Sequence, residues 1–358
     1  MLSKIYKICK TIPDKFLITW STILVCAFVV SFRGNDFLQK VPAISADWYN
    51  TIIAVLPGLN DALSSTIGKA IITGLTVLTI VTWLFKKIYR PIAYLIKHST
   101  MGHSLEEFDD EFQKSYYFKR INIETTIENE ESIVQALINQ DNMYKNMKIS
   151  KKSPTIFYYG VAHIPFIFRL GYQFGEGRQI RLLHRFRPTG DELEFKELPE
   201  HDNDRAAIWQ LLIGDEYLEQ NVQSGSKELI VAISTTYLIK PEDLRSIDYN
   251  GNMHTLEVII DKQDRGYDFF SSYDKIKSYT QTVLDAVRNC CKNYSIERIH
   301  LVLATSVPFA FYLGQHMHTN QFPDITVYHY QNNKYEWGIR VTESDIDKVI
   351  VNNYSVNR

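Results

Sequence analysis

Cysteine is scarce in this 358-residue chain, with four in all: Cys9, Cys26, Cys290 and Cys291. Their spacing matches no zinc site and offers no disulfide framework, which excludes a small stapled fold and fits a reducing cytosol. Glycine (16) and proline (11) are too few for a collagen or a low-complexity chain. No phosphate-cradling glycine loop, nucleophile elbow or kinase motif set occurs. A charge bias is missing as well. Lys and Arg total 39 against 41 acids, a net of −2, and the part beyond residue 100 is at −9; that −9 argues against a polymer of DNA or RNA as partner, since that needs a basic face.

The near-zero net charge is an average of two unlike parts. Residues 1–100 carry 11 Lys and Arg against 4 acids, a surplus of +7, and the remaining chain is at −9. The basic part holds two long apolar runs. Phe16–Phe32 has 17 residues without a charge, about 25 Å of helix at ~1.5 Å per residue. Ile67–Phe85 has 19 residues with Lys69 near its start, where a long side chain can snorkel. Each run has a Trp near one end (Trp20, Trp83), at headgroup level. The pattern predicts two transmembrane helices. No small-x-small cleavage site follows Phe32, which disfavours a signal peptide. Lys4, Lys7, Lys10 and Lys15 precede the first run, and Lys86, Lys87, Arg90 and Lys97 follow the second. This distribution predicts both termini in the cytoplasm. Thr73, Thr76, Thr79 and Thr82 recur at steps of three in the second run. Their hydroxyls either bond the carbonyl one turn back or line a polar path in an assembly.

Beyond the apolar runs, Ser104–Glu107 reads as a capping box, with Leu105, Phe108 and Phe112 at helical spacing after it. Ile121–Ile127 alternates like a strand, and a helix is expected from about Glu130 to Lys148. The boundaries expected are a transmembrane hairpin over 1–100, a linker helix over 101–120 and an α/β sensor over 121–358.

The sensor part repeats itself. Pro165, Phe166, Phe168, Leu170 and Gly171 recur as Pro308, Phe309, Phe311, Leu313 and Gly314, each displaced by 143 positions. His184 precedes a strand end as His329 does, and Glu194-Phe195 corresponds to Glu336-Trp337. This is a duplicated strand–helix–strand unit, at about 121–200 and 227–345. Each copy starts with an apolar strand (Ile156–Val161, His300–Ala304), and Glu228–Ser234 supplies another. Two Rossmann-like units with mostly parallel sheets follow. Such sheets bind ligands beyond the carboxyl ends of their strands, beside helix N-termini. Those places are Ala162–Ile164, Ser234–Tyr237 and Thr305–Val307.

The run IHLVLATSVPFAFYLG, with DITVYHY and YEWGIRV after it, resembles the C-terminal signature of SAVED domains, two fused units similar to CARF sensors. The resemblance implies a receptor for a cyclic oligonucleotide, typically a cyclic trinucleotide made by a partner cyclase in CBASS anti-phage defence. With two apolar spans in place of a fused enzyme, the chain resembles a transmembrane-SAVED effector. Such an effector is expected in the bacterial inner membrane, where ligand-dependent homo-oligomers disrupt the lipid bilayer during abortive infection. No enzyme activity and no cofactor are implied. A membrane-tethered nuclease for cyclic oligonucleotides and a passive adaptor are the alternatives.

For the ligand, Thr235, Thr236, Thr305 and Ser306 are expected at the switch region, and Tyr237 and Tyr312 are stacking candidates. His163 stands where Ser306 does in the other copy. Arg169 and Arg185 are candidate phosphate holders, Arg185 from an acid-free basic run with Arg178, Arg181, His184 and Arg187. Phe166, Phe168, Phe309 and Phe311 suit a core. His316 and His318 sit about 200° apart on a helix at ~100° per residue, so they share no metal. Asp191, Glu192, Glu194 and Lys196 have the residue types of a nuclease set, but match a strand in the other copy.

Overall fold

A computed structural model describes residues 91–102, 115–147, 155–178, 180–186, 194–201, 225–248, 251–260, 262–318 and 320–341. It also describes 73–75, 77–79, 81–82, 84, 105, 212–213 and 349–351. The chain divides into one unit of residues 1–91 and 114–117 and a second of 92–113 and 118–358.

Of the first unit, the run at 16–32 lies outside the described residues. Those described between 73 and 84 are helical. Thr79 and Thr82 donate to the carbonyls of Leu75 and Leu78, at 2.8 and 2.7 Å, which is the back-bonding alternative. Leu75, Val77, Leu78, Val81 and Leu84 are exposed. Among the described residues no helix is long and apolar enough to cross a membrane.

The second unit contains two sheets. The first has strands β1 (Ile92–Ser99), β2 (Tyr117–Glu124), β3 (Thr155–Val161), β4 (Ile180–Phe186) and β5 (Glu194–Glu197). Their order is β2-β1-β3-β4-β5, with β1, β3 and β4 parallel and β5 antiparallel. The second sheet has β6 (Leu212–Ile213), β7 (Glu228–Ser234), β8 (His254–Ile259), β9 (Arg298–Ala304), β10 (Asp324–Gln331), β11 (Lys334–Val341) and β12 (Val349–Val351). Its order is β12-β11-β10-β9-β7-β8-β6. Strands β8, β7, β9 and β10 run parallel and β11 antiparallel. Central strands such as β3 and β7 are buried on both faces, which explains their nearly unbroken apolar sequence.

The helices are α1 (Glu130–Asn146), α2 (Ile164–Phe174), α3 (Pro241–Leu244), α4 (Tyr273–Tyr294) and α5 (Val307–His316). Asn129 and Ser132 start α1 with a reciprocal capping box. With β1 matched to β7 and β2 to β8, each half reads β-β-α-β-α-β-β once the short α3 between β7 and β8 is set aside. The duplication is thus longer than the sequence pattern suggests. Residues 92–99, expected in the flank of the second apolar run, form β1 and pair along their length with β3. The reason lies in tertiary pairing: Ile92–Ser99 is too short for its alternation to stand out, and its partners β2 and β3 lie further along the chain. Of the linker helix expected over 101–120, residues 103–104 and 106–114 lie outside the described residues, Leu105 is buried, Met101 bridges to Thr126 and residues 117–120 belong to strand β2, whose pairing takes precedence over the helical spacing.

Helices α2 and α5 pack together through their matching glycines. A Cβ on Gly171 would collide with the carbonyl oxygen of Phe311, and one on Gly314 with that of Phe168. Phe166, Phe168, Phe309 and Phe311 are all fully buried, as a core role requires. Phe270 stacks on Phe309 with centroids 4.2 Å apart.

Candidate ligand-binding site

The carboxyl ends of the central strands make one corner in each half, and the two corners share a backbone plan. In the first half the Thr100 N–H donates to the Val161 carbonyl (3.4 Å); in the second the Thr235 N–H donates to the Ala304 carbonyl (2.9 Å). The chain after β2 then ties to β1 through Thr125 N–H to Ser99 O and Ile127 N–H to Thr100 O. The chain after β8 repeats this with Ile260 N–H to Ser234 O and Gly266 N–H to Thr235 O. A Ser-Thr pair thus closes β1 and β7 alike.

The second-half corner is lined by hydroxyls. Thr235 donates to Thr305 Oγ1 at 2.8 Å, and the Thr236 N–H bonds Ala304 O at 2.9 Å. Ser306 is the residue that begins α5, as expected from the sequence, but its side chain caps none of the helix N–H groups. That hydroxyl is buried and has no partner among the described residues. Pro308 follows in the first turn. Tyr237, 57% exposed, stands edge-on to Tyr267 with centroids 5.4 Å apart. Arg265 lies in the same loop as Tyr267 and bonds the Ile260 carbonyl through one Nη at 2.8 Å.

The first-half corner is lined by rings instead. His163 begins α2, and its N–H donates to Thr100 Oγ1 at 2.8 Å while its Nδ1 lies 2.6 Å from the same oxygen. The His163 ring stands perpendicular to that of His329, centroids 4.4 Å apart, and both rest against Trp337. Burial lowers the pKa of His163 to about 4. Burial, and then the His163 charge, lowers His329 and the neighbouring His98 to about 3. These imidazoles are neutral at pH 7. His98 also meets the Tyr158 hydroxyl at 3.0 Å through Nδ1.

Of the residues expected to meet ligand, Thr235, Thr236, Tyr237, Thr305 and Ser306 come together, and His163 sits at the other corner. Three do not join them. Arg169 is buried and bonds Asp141 at 2.7 and 2.9 Å, because α2 packs its polar edge on α1. Tyr312 lies within α5, past its first turn, and stacks on His316 at 4.2 Å. Arg185 lies over the Phe195 ring. Its basic run does not converge either: Arg178 covers Tyr144 and Phe174, and Arg181 pairs with Glu197. His184 pairs with Asp268 at 2.8 Å, so the two strand-end histidines do unlike things. Arg187, Asp191 and Glu192 lie outside the described residues.

Thr100, His98, Trp337 and Arg265 were not legible as site residues. Thr100 had a signal in the shared Ser-Thr dipeptide at 99–100 and 234–235. His316 ends α5 and His318 lies beyond it, beside Tyr172, so the two are not on one helix as expected. Among the described residues no group of three His, Cys, Asp or Glu is placed to hold a metal.

The family model of the SMODS-associated and fused to various effectors sensor domain, SAVED, matches residues 140–341, more than half of the chain. This chain belongs to the SAVED family. The match contains β3 to β11, and with them the whole second-half corner and the His163, His329 and Trp337 side of the first, and it makes the mixed α/β unit a sensor domain by family. No curated protein matches. Among solved structures, the Acinetobacter baumannii Cap4 SAVED/CARF-domain containing receptor with the cyclic trinucleotide 2'3'3'-cAAA aligns at 13% identity and a TM-score of 0.45. The alignment covers 83% of this chain and 64% of that one. The Moraxella osloensis Cap4 receptor aligns at 13% identity and a TM-score of 0.33, covering 83% and 65%. This chain therefore spans less than two thirds of the length of those receptors.

Proposed function

We propose that this SAVED protein is a membrane-anchored receptor for a cyclic oligonucleotide, in the size class of a cyclic trinucleotide, made by a partner cyclase during phage infection. The observation that carries the reading is the SAVED match, which contains the second-half corner and the His163, His329 and Trp337 side of the first. Each corner sits where a parallel sheet presents helix N-termini to a ligand. The Acinetobacter baumannii receptor, solved with 2'3'3'-cAAA and with 3'3'3'-cAAA, binds a molecule of that class. Both halves contribute to one unit, so a ring that touches both corners is read by the pair together.

The chain acts by binding rather than turnover. The apolar runs at 16–32 and 67–85 anchor it in the bacterial inner membrane, with the sensor on the cytoplasmic side, and the exposed leucines and valines between 75 and 84 support this. Ligand favours the assembled form through higher affinity for it. Assembly then gathers hairpins and disrupts the bilayer.

The test is reconstitution of the full chain in dye-filled liposomes, with a panel of cyclic di-, tri- and tetranucleotides added one at a time. One member is expected to bind, to release dye and to be recovered intact. Binding without leakage overturns the membrane role, a linear product overturns the non-enzyme reading, and no binding by any member overturns the receptor.

A further inference from the structure

The two corners follow one backbone plan but differ in charge and in spare donors. In the second half, the Thr235 and Thr305 hydroxyls are hydrogen-bonded at 2.8 Å, and the Thr235 hydroxyl also reaches the Ala304 carbonyl at 3.3 Å. Ser306 is 6% exposed, its hydroxyl has no partner among the described residues, and it sits at the start of a ten-residue helix whose first turn it does not cap. Unpaired N–H groups and the helix dipole make that turn electropositive. Thr305 and Val307 beside it are only half-buried, so the turn is reached from solvent. Arg265 brings the one guanidinium of this corner. Its Nη2 bonds a backbone carbonyl, its Nε is buried without a partner, and it forms no ion pair among the described residues. The next residue, Gly266, donates to Thr235 O, and a Cβ there would meet nothing within 4 Å. The Cα of Gly266 therefore faces open space.

In the first half none of this is available. The Thr100 hydroxyl is committed to His163. An imidazole replaces the serine at the helix start, and the loop at 125–129, Thr-Thr-Ile-Glu-Asn, has an acid and no cation, whereas the loop at 262–268 carries Lys262 and Arg265 beside Asp264 and Asp268, the latter held by His184. His163 and His329 stand on Trp337 as a ring-lined surface.

The geometry points to a division of labour that deepens, and rests on, the receptor reading. The second-half corner anchors one phosphodiester through Arg265, Ser306, Thr305 and the first turn of α5, and the first-half corner takes an uncharged nucleobase against His163 and His329. One guanidinium with neutral donors balances the single charge of an internal phosphodiester. It does not balance a terminal di- or triphosphate, so linear nucleotides with such ends are disfavoured. A pocket with one charged and one neutral corner also holds a ring in one orientation.

The test uses the full chain in detergent micelles, titrated calorimetrically with 3'3'3'-cyclic tri-adenylate, or with whichever cyclic trinucleotide of the panel binds. Arg265→Gln and Ser306→Ala are each expected to weaken binding about tenfold, and Arg265→Lys to recover part of it. Gly266→Val, which fills the open space, is expected to block binding without lowering the melting temperature. A second arm leaves the protein unchanged and replaces ring phosphates with neutral methylphosphonates. With one anchor, a symmetric ring with one neutral linkage turns to present a charged one and loses only about 1.5-fold, the ratio of three usable registers to two. A ring with all three neutral loses binding. A loss of tenfold or more from one neutral linkage, or wild-type affinity in Arg265→Gln and Ser306→Ala, overturns the single anchor. Absence of binding by every cyclic oligonucleotide is a different result, and overturns the receptor reading itself.

Discussion

Gly171 of α2 faces the backbone carbonyl of Phe311 on α5 so closely that no side chain fits between them, and Gly314 faces Phe168 in the same way. The four residues are two pairs related by the 143-residue repeat. The duplication therefore survives as a local two-fold relation, with each helix offering its glycine to the other's backbone. That contact joins the two halves of the sensor, and the strand-end corners are placed from it.

Substituting either glycine tests the contact. Gly171→Ala and Gly314→Ala are each expected to lower sensor stability by about 2–4 kcal/mol, since the obstacle is backbone and cannot swing away. Gly177→Ala, where a Cβ meets nothing within 4 Å, is the control and should change little. Thermal melts of the three variants decide it; equal effects would show that the helices move apart freely.

Arg169 is expected to matter for stability and not for ligand. Its paired bonds to Asp141 are buried, so Arg169→Ala leaves a carboxylate uncompensated and costs about 3 kcal/mol. The double variant Arg169→Met with Asp141→Leu should regain most of that. Urea unfolding measures the first effect, and ligand titration of the folded double variant should return wild-type affinity.

Acid should loosen the first-half corner. His98, His163 and His329 have pKa values lowered to about 3, 4 and 3 by burial, against about 6.5 in an unfolded chain. Each depressed group contributes stability that is present above the unfolded value and lost as pH falls from about 6.5 toward the folded value. Stability should therefore decline steadily below about pH 6.5, and His163→Asn should flatten the decline. Melting temperatures across pH 4 to 8 check both, and an unchanged slope in the variant would contradict the assignment.

Tyr237 is the exposed aromatic of the second-half corner. If it stacks on a base, Tyr237→Ala should cost about 1–3 kcal/mol of binding and Tyr237→Phe little. Calorimetric titration of both variants separates stacking from a hydroxyl contact.

The residue pattern alone determined much of this protein. The repeat register at 143, the apolar central strands, the helix starts at Ser306 and His163 and the core phenylalanines all follow from short-range periodicity and turn chemistry. So does the charge split between the two parts of the chain. The family signature over 299–341 was legible for the same reason, since it is contiguous. The tertiary structure decided what depends on residues far apart in sequence. It made residues 92–99 a strand, because β2 and β3 pair with them from either side. It buried Arg169 against Asp141, removing it from the site although its residue type suits phosphate. It brought Thr100, His163, His329 and Trp337 together from β1, α2, β10 and β11, and set Arg265 beside Thr235. A guanidinium's role depends on what neutralises it and a hydroxyl's on what already holds its hydrogen, and both are properties of spatial neighbours.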